Sequence, residues 1–169
     1  PASILSMFPE LSIELNQFSQ MISQWSKKIL IALNSIGADV SFVETGEDFF
    51  VTNTGSPHYV KQVSAIENFE VFKEGKGIRY NERFNKEGIN VNFVEHQKDH
   101  LFVRTYERGV ENETFSCGTG VTAAAITSYL HKEGEHEIQI QTLGGKLAVS
   151  FNNQGGGHFN HIWLKGPGT

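Results

Sequence analysis

The sequence is poorest in cysteine, with one, Cys117, among 169 residues. A single thiol excludes an intrachain disulfide framework and fits a reducing compartment. Positive charge is also short, since 14 Lys and Arg face 19 Asp and Glu for a net charge of −5. That balance gives no electrostatic case for nucleic acid or an anionic membrane as partner. No apolar run approaches transmembrane length and no signal-peptide pattern opens the chain, so a cytoplasmic protein is expected. No Walker or dinucleotide glycine pattern follows a strand in the right way. Repeats, linkers and low-complexity segments are missing as well. What is present, 38% hydrophobic and 20% charged residues, describes a soluble globular chain able to bury a core. Its length allows one domain or two small ones.

Residues 1–37 read as a separate N-terminal segment. Phe8–Ile13 reads as a short strand. Phe18, Met21, Ile22, Trp25, Ile29, Leu30 and Leu33 recur at the spacing of one helix face, with Lys27 and Lys28 on the other side. An amphipathic helix over 18–36 is therefore expected, packed or partner-binding, and closed at Gly37. Residues 38–169 form the second unit. Val40–Val43 and Phe49–Thr52 are β-prone runs about a turn at 44–48, and Asn53–His58 is a polar turn before a strand at Tyr59–Val63. Ile66–Gly75 is ambiguous, with Phe69–Phe72 strand-like in Glu-rich surroundings. Further strands are expected at Ile89–Glu95, Leu101–Glu107, Glu137–Gln141, Lys146–Phe151 and His161–Lys165, with Asn152–Gly157 an exposed turn.

Between these strands lies the stretch that carries chemistry. Cys117 sits in a Cys-Gly-Thr-Gly turn, and Val121–Leu130 follows with no Gly, Pro or charge. The only polar members of that run are Thr122, Thr127 and Ser128, and a helix apolar nearly all round is usually buried. Strands on both sides of it predict an α+β fold, a mostly antiparallel curved sheet wrapped around a central apolar helix. With the helix starting near Gly120, Cys117 stands at its N-terminus. There, unpaired N–H groups and the positive dipole end favour a thiolate. The same N–H groups can hold a carboxylate, and Gly118 and Gly120 leave room for a ligand to approach the backbone. From position alone, a buried structural cysteine is an equal reading.

The wider wording separates the two. Arg104-x-Tyr106-Glu107-Arg108-Gly109-Val110, then Glu113-Thr114, then Cys117-Gly118-Thr119-Gly120 and an Ala-rich helix, resembles the second catalytic segment of the diaminopimelate epimerase family. Asn53-Thr54-Gly55-Ser56-Pro57-His58 and Gly88-Ile89-Asn90-Val91-Asn92-Phe93 resemble it in the right order. Near the end, Gly144-Gly145-Lys146-Leu147 and Trp163-Leu164-Lys165-Gly166-Pro167 do so too. The resemblance covers about residues 39–167, the C-terminal half of such an enzyme.

That resemblance implies a cofactor-independent epimerase interconverting LL- and meso-diaminopimelate for lysine and cell-wall synthesis. The partner is a small amino-acid substrate, and a homodimer is the candidate assembly. Inverting an α-carbon calls for two opposed acid/base groups, one per face, and the family uses two cysteines. Cys117 matches the second. No earlier Cys-Gly-Asn-Gly segment supplies the first, so the chain is expected to be part of a longer enzyme and inactive alone. By motif, Glu107 meets a substrate ammonium or tunes a base, and Arg108 pairs a substrate carboxylate. Asn90, Gly118 and Thr119 bind substrate. Ser56 stands where the family more often has a substrate-contacting Asn, and His58 assists catalysis. The ordinary readings of the same residues are a surface ion pair for Glu107 and Arg108, and structural roles for Asn90 and His58.

Competing functions are a non-catalytic binding domain, another racemase or isomerase of the same fold, and acyl transfer by a Cys-His pair. His96/His100 and His158/His161 have ligand-like spacing but no helix and no third ligand, so no metal is expected.

Overall fold

A computed structural model of the chain describes residues 28–32, 40 and 43–167. The alternating runs form ten strands: β1 (Lys28–Ala32), β2 (Val43–Thr45), β3 (Phe49–Asn53), β4 (Pro57–Gln62), β5 (Asn90–His96), β6 (Leu101–Glu107), β7 (Asn112–Thr114), β8 (Gly134–Thr142), β9 (Gly145–Gly155) and β10 (His158–Pro167). They make one curled mixed sheet in the order β1-β10-β9-β8-β6-β5-β4-β3-β2, with β7 paired to β6 off that path. Every pair is antiparallel except β4–β5 and β6–β8. A parallel pair needs a crossover to bring the chain back to the same end of the sheet. Two helices lie in those two crossovers: α1 (Val71–Arg79) between β4 and β5, and α2 (Gly118–Ser128) between β6 and β8.

The position of α1 corrects the strand-like reading of Phe69–Phe72. Residues Ile66–Asn68 form a 3-10 turn and Val71 begins the helix. Gly75 and Gly77 argue against a helix by propensity, and packing overrides them. A Cβ on Gly75 would collide with the Tyr106 Cβ, so the missing side chain is what lets α1 rest on β6. Helix α2 is the opposite kind. Every residue from Gly120 to Thr127 is buried, and its neighbours include β3, β4, β5, β6, β9 and β10. Three successive alanines, 123–125, keep it thin enough for strands to close around it.

The three middle strands are covered on both sides, so their residues sort by parity. Ile89, Val91 and Phe93 of the β5 region join Tyr106, Ile66 and Val71 in the cluster beneath α1. Val94, Val103, Leu101 and Val60 belong to the cluster around α2. The other even positions of β5 are Asn90 and Asn92, both buried, and His96, exposed at the strand's end. Register sets His58 beside Asn90 and Thr105 opposite Asn92. A polar layer thus sits on the α2 face of an otherwise apolar sheet.

The helix expected over 18–36 is corrected over part of its length. Lys28–Ala32 is a strand, paired antiparallel with Lys165–Trp163 and their neighbours along β10. The run Ile29-Leu30-Ile31 suits an extended backbone, and the open edge of β10 offers it hydrogen-bonding partners. Positions 1–27 and 33–37 lie outside the described residues. No helix among the described residues is long and apolar enough to cross a membrane.

Candidate active site

Cys117 is the N-cap of α2, with an extended backbone (φ −124°, ψ 112°) and a half-buried side chain. The first helical hydrogen bond runs from Val121 N–H to Cys117 O at 2.9 Å. The amides of Gly118, Thr119 and Gly120 therefore precede it, in the position where a helix leaves donors for an anion. No side chain caps this end. Two glycines hold the turn close to its surroundings. A Cβ on Gly118 would lie 3.0 Å from Leu164 Cδ2, and one on Gly120 would collide with Asn92 Oδ1.

Thr119 links the helix end to the polar layer. Its hydroxyl is 3.6 Å from the Cys117 sulfur, 3.1 Å from Ser56 Oγ and 3.0 Å from His58 Nε2. Ser56 Oγ is also 2.9 Å from His58 Nε2 and accepts from Asn90 Nδ2 at 3.2 Å. The Thr119 carbonyl accepts from the Thr54 hydroxyl at 2.8 Å, tying the turn after β3 to the helix. On the other side of the imidazole, Asn92 Nδ2 is 3.0 Å from His58 Nδ1 and donates to the Tyr59 carbonyl at 3.2 Å. Asn92 Oδ1 accepts from the Thr105 hydroxyl at 3.0 Å. His58 is completely buried, and burial, aided by the Arg108 charge, pushes its pKa down to about 3. The ring is neutral throughout the physiological range.

Glu107 and Arg108 lie at the end of β6, where the chain turns into β7. Arg108 N–H donates to Asn90 Oδ1 at 2.9 Å, and its guanidinium donates to the Glu87 carbonyl at 3.0 Å. Its aliphatic stem crosses Gly88, where a Cβ would lie 2.6 Å from Arg108 Cδ. The turn itself is clamped by Glu111, a residue with φ +57°. Glu111 accepts from Gly109 N–H (3.1 Å), Arg79 Nε (3.2 Å) and the Tyr106 hydroxyl (3.2 Å). Burial raises the Glu111 pKa, but the Gly109 amide, Tyr80, Arg79 and Tyr106 outweigh it and leave the carboxyl below its usual value.

Of the residues singled out from the sequence, Cys117, Thr119, Ser56, His58 and Asn90 are joined by one set of hydrogen bonds. Arg108 enters it through its backbone N–H on Asn90. Gly118 completes the Cys117 turn. The Glu107 carboxylate makes no hydrogen bond to this group among the described residues. The sequence reading missed Asn92, Thr105, Thr54 and Glu111. Asn92 was within reach, because it lies two residues after Asn90 in a strand and must share its face. Among the described residues no three His, Cys, Asp or Glu side chains gather as a metal group. His100 instead pairs with Asp99 at 2.8 Å.

Comparison with known proteins bears on this geometry. The family model described as diaminopimelate epimerase matches residues 50–163. The chain is similar to diaminopimelate epimerase of Flavobacterium psychrophilum, 46% identical over 131 residues, which are 76% of this chain and 51% of that protein. It is similar to the Aquifex aeolicus protein of the same name, 56% identical over 103 residues, 59% of this chain and 37% of that one. The chain thus spans about half or less of the length of these curated relatives. Among solved structures it resembles in fold a hydroxyproline epimerase from Agrobacterium vitis (TM-score 0.58, 11% identity, 83% of this chain and 50% of that one). It also resembles a probable proline racemase from Agrobacterium radiobacter (TM-score 0.57, 12% identity, 83% and 51%). The matched span contains Ser56, His58, Asn90, Glu107, Arg108 and the whole Cys117 turn, and the chain belongs to the diaminopimelate epimerase family.

Proposed function

We propose that this chain supplies one half of a cofactor-independent epimerase site that interconverts LL- and meso-diaminopimelate. Cys117 serves as the base on one face of the α-carbon. The observation that carries this reading is the sulfur at an uncapped helix N-terminus, with the Thr119 hydroxyl 3.6 Å away. As the thiolate takes the α-proton an S–H bond forms, and the C–H electron pair moves into the substrate carboxylate. Amides at the start of α2 stabilise the resulting charge, as does Arg108, whose described hydrogen bond to Glu87 O leaves the rest of its fork for an anion. Asn90 and Ser56 orient the substrate, and Glu107 meets an ammonium group. His58 is a neutral member of the hydrogen-bonded wall and is 3.0 Å from Thr119, not bonded to the sulfur, which disfavours a Cys-His acyl-transfer pair. A second base, facing the opposite side, completes inversion in the whole enzyme, which we place in the cytoplasm as a homodimer.

The test is incubation of the 169-residue chain with diaminopimelate in D2O. Slow deuterium uptake at the α-carbon with retained configuration is expected, and its loss in Cys117→Ser. Inversion by this chain alone would sink the half-site assignment. Binding without exchange would favour a ligand-binding domain of the same fold.

A further inference from the structure

Asn92 holds the polar layer together. It is completely buried on the α2 face of β5 and uses both ends of its amide. The orientation of that amide is fixed by its neighbours. The Tyr59 carbonyl can only accept, so the atom 3.2 Å from it must be the nitrogen. The Thr105 hydroxyl then donates to the oxygen at 3.0 Å. The second N–H of the same nitrogen points at His58 Nδ1, 3.0 Å away. Nδ1 must accept, so the proton of a neutral imidazole has to be on Nε2.

We propose that Asn92 is a positioning residue that fixes His58 as the Nε2–H tautomer and thereby turns the Thr119 hydroxyl toward the Cys117 sulfur. The protons along the hydroxyls can be counted one by one. His58 Nε2–H donates into the Ser56–Thr119 pair, at 2.9 and 3.0 Å. Ser56 also accepts from Asn90 Nδ2, so its own proton goes to Thr119. Thr119 then has its lone pairs engaged, and its proton has one remaining acceptor, the sulfur at 3.6 Å. With the proton on Nδ1 instead, two N–H groups would face each other across 3.0 Å. Nε2 would then accept from the hydroxyls and draw the Thr119 proton away from sulfur. The polarity of the whole chain is set at Asn92, on the side of the ring away from Cys117. The same amide fixes the distance to the helix, because its oxygen occupies the space a Gly120 side chain would fill.

The assignment of a role to that polarity rests on Cys117 being the base, but the tautomer is testable without any reaction. The experiment is 15N–1H long-range correlation of the imidazoles in the 15N-labelled chain, with His58 assigned by its loss in His58→Gln. The native chain is expected to show His58 as the Nε2–H tautomer, unchanged from pH 8 to pH 6. In Asn92→Asp, an acceptor replaces the N–H that faces the ring, and the proton is expected to move onto Nδ1. An Nδ1–H tautomer in the native chain would overturn the proposal, and this arm needs no variant to fold. So would retention of the Nε2–H pattern in a folded Asn92→Asp. Thr105→Val keeps the Tyr59 anchor and should leave the tautomer unchanged; a switch there would also overturn it. Failure of deuterium exchange with a correct tautomer would count against the epimerase reading alone.

Discussion

The two faces of the β4–β5–β6 sheet carry buried layers of opposite chemistry. Beneath α1, Ile89, Val91, Phe93 and Tyr106 form an apolar layer, and the Phe93 ring lies 4.7 Å from that of Phe69. Beneath α2, His58, Asn90, Asn92 and Thr105 form a polar one. Burying polar groups costs stability unless each is hydrogen-bonded, and then they gain a fixed orientation. The first face supplies cohesion, and the second gives up some cohesion to hold proton positions at the start of α2. Each strand serves both by alternation, so the site rests on the back of the core.

The largest expected effect that breaks this division is on the apolar face. Phe93→Ala should destabilise the chain by about 3–5 kcal/mol, the usual cost of deleting a buried aromatic ring. Urea denaturation measures it, and a loss below about 1 kcal/mol, far under that range, would show that the α1 layer is not the cohesive one.

The polar face should show itself through pH. The folded pKa of His58 is depressed to about 3 by burial and then by Arg108. Below the unfolded value near 6.5 the unfolded chain binds a proton that the folded chain refuses, so stability falls as pH is lowered from about 6.5 toward 3. Between pH 6 and 5, above the range where carboxylates titrate, the slope from His58 approaches about 1.4 kcal/mol per pH unit. His96 is lowered as well, chiefly by burial and then by Lys132, so the measurement is a difference between native chain and His58→Gln. Parallel stability curves over that interval would mean the ring is not kept neutral by the fold.

What the sequence made legible follows from which signals are local. The β6 strand Leu101–Glu107 and the run leading into α2 were readable because alternation and a charge-free stretch need no knowledge of partners. The Cys-Gly-Thr-Gly turn was readable as a helix start. Resemblance singled out Glu107 and Arg108, of which, among the described residues, only Arg108 is bonded to the polar layer, through its backbone N–H. Helix α1 was not, since two glycines lower its propensity and its reason for existing is Tyr106, about thirty residues away in the chain. Strand β1 was hidden because an apolar pattern with helical spacing also contains Ile-Leu-Ile, and only the free edge of β10 decides between them. Asn92 was legible as a face-mate of Asn90 but not as a hydrogen-bonding hub, and Glu111 escaped because a turn Glu carries no motif. Their roles exist only once Tyr59, Thr105, Arg79 and Gly109 surround them.

The smallest effect, and the sharpest form of the comparison, comes from three glycines given the same methyl group. Gly120→Ala pushes a Cβ against Asn92 Oδ1, and Gly75→Ala pushes one against the Tyr106 Cβ. Neither obstacle is the free end of a flexible side chain, because Asn92 is held by three hydrogen bonds and Tyr106 is part of a strand. Each should cost about 1–3 kcal/mol, the range for overpacking. Gly77 lies in the same helix as Gly75, and a methyl there would meet nothing within 4 Å. At that position alanine only removes backbone freedom from the unfolded chain, and a gain of about 0.4–1 kcal/mol is expected. The two costly variants should differ in kind. Gly75→Ala lifts α1 from the apolar layer and leaves the His58 tautomer alone, whereas Gly120→Ala displaces the Asn92 amide and should disturb it. Thermal denaturation ranks the three, and the imidazole spectrum separates the first two. If Gly75→Ala altered the His58 signals as strongly as Gly120→Ala, the two faces would be coupled through β5, and the division of labour between them would fail.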